Sequence, residues 1–237
     1  MKLVGERRAL AAAIMVFYFL FYGVLAFSGL VPDFTKAFVA VAGVYGLAFF
    51  ALVAGYFWAR WYAVGVGLYG VITAGVGIWQ LGAEPVLLFL GGTHLAATLF
   101  LWGQAMSAPY DGQAEWREKF HMDENAVQRL GRSVIRAGAT LPFILLYALA
   151  PKPEPESMLL SLGALVLVAA GMRGLVQMKT WGVLALGMAG ALMVTVVGAD
   201  VASHGVTMAA MRPALAAGML FAATAPYFAP ITQFLTR

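Results

Sequence analysis

The chain has 237 residues, 62% of them hydrophobic and 11% charged, with no cysteine. So little polar surface excludes a water-soluble globular domain and makes the bilayer the solvent. The net charge of +4 sits in gaps between apolar runs rather than in a basic cluster interleaved with exposed aromatics, which excludes nucleic acid as a partner. The missing cysteines remove disulfides, thiolate metal ligands and thiol nucleophiles.

Eight runs reach or approach the roughly 20 apolar residues that cross about 30 Å of hydrocarbon. They fall at 9–31, 37–58, 62–81, 86–106, 134–150, 158–176, 181–199 and 214–234. The first comes after a basic N-terminus and contains a passable cleavage site at Ala26-Phe27-Ser28. It is too long for a typical signal-peptide core, so it is expected to stay as a helix. The fifth carries Arg136 near its start and Pro142 inside, and the sixth is closed by Arg173 and Lys179.

Basic residues alternate between the gaps. Lys2, Arg7, Arg8, Arg60, Arg117, Lys119, Arg129, Arg132, Arg136, Arg173, Lys179 and Arg237, 12 of the 15, fall on one side, leaving Lys36, Lys152 and Arg212 on the other. The positive-inside rule then places both termini in the cytoplasm of a multi-pass protein of the plasma (inner) membrane. Trp58, Trp61, Trp102 and Trp181 fall at the same cytoplasmic helix ends, as interfacial anchors do.

The layout predicts a first four-helix half over 1–106, a cytoplasmic linker over 107–128 and a second half over 129–237. Arg8 and Arg129 precede helices one and five, Arg60-Trp61 and Lys179-Thr180-Trp181 precede three and seven, and Pro85 and Pro213 open four and eight. With four helices per half, these pairs suggest two parallel pseudo-repeats related by an axis along the membrane normal. Helix-starting basic and aromatic residues are common enough to produce the same pairs without duplication. Within the linker, 113–120 suits one short helix, with Asp123 as a cap for the fifth span. His121 stands among Asp111, Glu115, Glu118, Asp123 and Glu124, but their spacing matches no known ligand pattern, so a solvated linker and no metal are expected.

Arg129, Arg132 and Arg136 repeat at i, i+3 and i+7 and form one stripe. With Arg173 they are candidates for contact with an anionic lipid or a partner, although snorkelling to ordinary lipid phosphates explains the same stripe. Gly65, Gly67, Gly70, Gly75 and Gly77 in helix three, and Ala185, Gly187, Ala189 and Gly190 in helix seven, offer surfaces for close helix packing.

His94 lies about nine residues and roughly 13 Å into helix four, the one ionisable group expected deep in the bilayer. The same depth count puts Tyr22, Tyr45 and Thr73 within about a turn of that level. These four form the candidate ligand-binding layer, read either as a hydrogen-bonded network or as a ligand or proton site. The second half offers only Thr140 and Thr224 near that level. A bis-histidine haem needs a second histidine at matching depth, which the sequence lacks. Asp200, His204 and Met208 would suit copper only on a continuous helix. No cofactor is expected.

These readings converge on an all-α integral membrane protein of eight helices. The leading functional expectation is a non-enzymatic subunit or scaffold packing with lipid, other membrane subunits or its own copies. The alternative is a small-molecule or proton-coupled carrier with its site in the Tyr22, Tyr45, Thr73 and His94 layer. An intramembrane enzyme or redox protein comes third.

Overall fold

In hydrocarbon a backbone can satisfy its own polar groups within one segment only as a helix, and the long apolar runs are all helical. The computed structural model describes residues 3–106, 108–111, 124–151, 155–205 and 208–228. The helices are α1 (Val4–Phe27), α2 (Thr35–Ala54), α3 (Ala59–Leu81), α4 (Pro85–Leu101), the four-residue α5 (Ala108–Asp111), α6 (Glu124–Leu149), α7 (Pro155–Val176), α8 (Thr180–His204) and α9 (Met208–Thr224). Six of them, α1, α2, α3, α6, α7 and α8, are long and apolar enough to cross a membrane. The apolar α4 has 17 residues, about 25 Å at 1.5 Å per residue. The chain is therefore an all-helical, multi-pass membrane protein. The expected count of eight full-length spans is not reached among the described residues.

Several helix ends shift by about four or five residues from the sequence reading, and the fifth and last spans depart most. The fifth predicted span opens at Glu124 rather than 134, because the lead-in carrying the arginine stripe is itself helical. The last begins at Met208, which puts Pro213 inside the helix instead of at its start, and its first stretch closes at Thr224; residues 229–234 of the expected span lie outside the described residues. Pro226 comes next in a 3-10 turn, Ala225–Tyr227, where its missing N–H cannot continue the α-ladder. The expected helix over 113–120, His121 and the Asp123 cap lie outside the described residues.

The chain divides into two compact units, Met1–Glu118 and Lys119–Arg237. In the first, α1 packs on α2 and α4, and α3 packs on the same two, closing a four-helix ring. In the second, α6 and α8 each pack on α7 and α9, closing another. The buried interior of the first unit is built around Met15, Tyr18, Tyr45, Leu52, Tyr62, Tyr69 and His94, and that of the second around Leu130, Ile144, Leu186 and Met193. Outward faces keep large apolar groups such as Phe17, Leu20, Val24, Phe89 and Leu99 exposed, the arrangement lipid requires and water penalises.

Candidate functional site

The close approach of α3 to α4 positions the histidine. Gly67, Gly70, Ala74 and Gly77 share one face of α3, and they meet Thr98, His94, Gly91 and Leu87 in reverse order along α4. A Cβ on Gly70 would overlap the imidazole, and one on Gly67 would overlap the Thr98 hydroxyl. Glycine is needed here for space, and the space is filled by polar groups.

His94 is fully buried. Its Nδ1 lies 2.8 Å from the Leu90 carbonyl, and that oxygen can only accept, so Nδ1 carries a proton. In the neutral ring Nε2 then accepts from the Tyr45 hydroxyl at 2.6 Å. A neutral imidazole thus meets both of its hydrogen-bonding requirements without burying a charge. The Tyr18 ring packs over it with centroids 4.1 Å apart. The Thr93 hydroxyl donates to the Phe89 carbonyl at 2.7 Å, so the Tyr18 hydroxyl donates to Thr93 Oγ1 at 2.6 Å.

Tyr22 stacks on Tyr45 at 5.5 Å between ring centroids and shares a hydroxyl hydrogen bond with Tyr69. The structure therefore brings together three of the four expected layer residues, His94, Tyr45 and Tyr22. Thr73 is not joined to them: its Oγ1 is buried with no hydrogen-bond partner. Sequence reasoning missed Tyr18 and Tyr69. Tyr18 and Tyr22, four residues apart, lie on one face of α1, a signal that was available.

A second polar region lies at the end of the first unit where α1 and α3 begin and α2 and α4 finish. The last carbonyls of a helix lack intrahelical partners, and arginines supply them. Arg7 Nη2 donates to Leu99 and Trp102 at 3.0 and 2.7 Å, and Arg8 donates from Nε and Nη2 to Leu52 and Val53 at 2.9 and 2.7 Å. Arg60 Nε donates to Leu101 at 2.9 Å. Arg8 also lies over the ring of Tyr110, 5.4 Å from its centroid. Burial pushes the Tyr110 phenol up from its ordinary value, against the opposing charges of Arg8 and Arg60, so the group is a hydrogen-bond donor at neutral pH.

In the second unit, Arg136 Nη1 donates to the Ala222 carbonyl, the oxygen that the N–H missing from Pro226 would have served. Ser133 donates to Ala223 at 2.6 Å. Of the predicted basic stripe, Arg132 and Arg173 are exposed, Arg129 is half-buried, and Arg136 is engaged by this helix end. Tyr147 donates to Asp200 Oδ2 at 3.0 Å. His204 ends α8, and Gly205 leaves the helix at φ 72°, so Asp200, His204 and Met208 do not share a continuous helix. Among the described residues no group of three or more His, Asp or Glu is placed to hold a metal ion.

No family model, curated protein or solved structure matches this chain.

Proposed function

We propose that the protein is a non-enzymatic membrane subunit or scaffold, with both termini in the cytoplasm of a plasma membrane, whose His94 layer fixes the shape of the first four-helix unit. The observation that carries this reading is that the groups joined around His94 are already engaged within the protein. Both imidazole nitrogens have partners, Tyr18 is bound to Thr93, and Tyr22 is paired with Tyr69. A substrate would have to displace bonds already made inside the protein. The wide apolar exposure of α1 and α4 suits contact with lipid and with neighbouring membrane helices. The 12 to 3 partition of basic residues and the paired Arg60/Lys179 and Pro85/Pro213 positions support an eight-helix, two-repeat layout with parallel halves.

The test is the mass of the tagged chain, released from its native membrane in mild detergent. The reading expects a stoichiometric assembly, with a second membrane protein or further copies of itself. A second reading, a carrier, is favoured by one observation: the unpartnered Thr73 hydroxyl near the depth of His94 is a vacant polar contact. Transport would then fall in Thr73→Val with folding stability unchanged, whereas a structural layer loses no activity there.

A further inference from the structure

The tyrosines inside the first unit differ in what receives their hydroxyl protons. Tyr18 donates to a threonine hydroxyl, Tyr22 shares its bond with the phenol of Tyr69, and Tyr62 donates to the Val44 carbonyl at 3.5 Å. None of these partners is a base. Tyr45 instead donates at 2.6 Å to the single lone pair of the neutral His94 ring, a distance over which a proton can pass. Taking an electron from a phenol that keeps its proton leaves a bare cation in hydrocarbon, which is costly. Where a base takes the proton, the phenol becomes a neutral radical and the charge rests on an imidazolium that hydrogen-bonds through both nitrogens.

The second observation is a route to lipid. Phe17 and Phe21 of α1 and Phe89 of α4 are exposed and lie within 6.2 Å of Phe17 as ring centroids. Phe17 meets the edge of Tyr18 at 5.0 Å, and Tyr18 lies 5.4 Å from Tyr45 and 4.1 Å from His94. An electron leaving Tyr45 thus crosses two ring contacts to the lipid face and needs no opening in the packed interior. The phenylalanine is not itself oxidised; it shortens the gap through which the electron tunnels.

We propose that Tyr45 is a one-electron donor to lipid-phase radicals of the peroxyl class, with His94 as the acceptor of its proton. The Tyr45 O–H bond breaks, the electron passes by way of Tyr18 to the peroxyl radical, and the proton bonds to His94 Nε2. The peroxyl radical is reduced to a peroxide anion, which takes a proton from water at the membrane surface and becomes a hydroperoxide. Tyr45 is oxidised to a neutral phenoxyl radical. The imidazolium then donates from Nδ1 to the Leu90 carbonyl and from Nε2 to the Tyr45 oxygen, so neither of its protons is left unbonded. Each chain delivers one electron, a stoichiometric quenching that goes beyond a packing role and does not depend on it.

The full-length chain, carrying isotopically labelled histidine nitrogen, is reconstituted in vesicles of polyunsaturated phosphatidylcholine, exposed to a lipid-soluble azo initiator in air, frozen, and read by electron paramagnetic resonance. A tyrosyl radical is expected whose hydrogen-bonding proton couples to a histidine nitrogen. Tyr45→Phe should lose the signal and Tyr62→Phe should keep it. His94→Gln leaves Tyr45 a hydrogen-bond partner but no base, and should lose it too. The nitrogen coupling is measured on the parent chain, so it decides the question even where a variant fails to fold. No tyrosyl signal in the parent, a signal without coupling to histidine nitrogen, or one that survives in folded Tyr45→Phe or His94→Gln overturns the proposal.

Discussion

A hydroxyl-to-imidazole bond in a water-free interior contributes modestly when made and costs more when one partner is left behind. Tyr45→Phe would leave His94 Nε2 without a donor and should lower unfolding stability by about 1–3 kcal/mol. His94→Ala adds a cavity beside Gly70 and should cost about 2–5 kcal/mol. Denaturation in mixed micelles checks both, and losses below about 0.5 kcal/mol would mean that the bond does not hold the unit together. The neighbouring glycines make a sharper pair. Gly70→Ala forces a methyl into the imidazole and should destabilise by about 1–3 kcal/mol. Gly75→Ala on the same helix meets nothing within 4 Å and should be neutral or gain up to about 1 kcal/mol. Equal effects at the two positions would contradict the packing described. The histidine and two of its tyrosine neighbours were legible because depth along a helix can be had from residue counting. Rotation about the helix axis cannot, and that is why Thr73 was grouped with His94 while Tyr18 was overlooked.

At the scale of an element, the C-terminal ends of α2 and α7, one in each unit, show how one motif is built with different residues. Gly55 closes α2 in the left-handed region at φ 76°, with N–H bonds from Gly55 to Leu52 and from Tyr56 to Ala51, the Schellman pattern. The end of α7 repeats it, with Met178 to Leu175 and Lys179 to Gly174, but Met178 occupies the left-handed position at φ 59°. A side chain there costs about 1 kcal/mol relative to glycine. Met178→Gly should therefore raise the unfolding free energy by about 0.5–1 kcal/mol in the same micelle assay, and a loss would show that the methionine side chain makes a compensating contact. Such endings are hard to read from sequence, because glycine announces the first and nothing announces the second. Apolar counting likewise located every long helix but not its ends. The amphipathic start of α6 lies outside the apolar run, and the stop at Thr224 is set by Pro226 together with the carbonyls that Arg136 and Ser133 serve.

For the whole molecule, the composition and the long apolar runs made the class legible, an all-helical multi-pass membrane protein. The partition of basic residues carries the orientation proposed above. Reporter fusions at Gln113 and Lys179 should report cytoplasmic, and fusions at Pro153 and Gly205 external; an external signal at Gln113 would reverse the topology. What the sequence could not convey is which polar groups bond to each other inside a unit, since that depends on helix rotation and close approach. The engaged bonds around His94 lead to the central proposal that the protein acts by packing with partners rather than by turning over a ligand. The most direct measurement is native mass spectrometry of the tagged chain, extracted from its own membrane in mild detergent. The account predicts a defined mass above the 25.2 kDa of one chain, with a partner or further copies in fixed ratio; a species at the mass of one chain alone would contradict it.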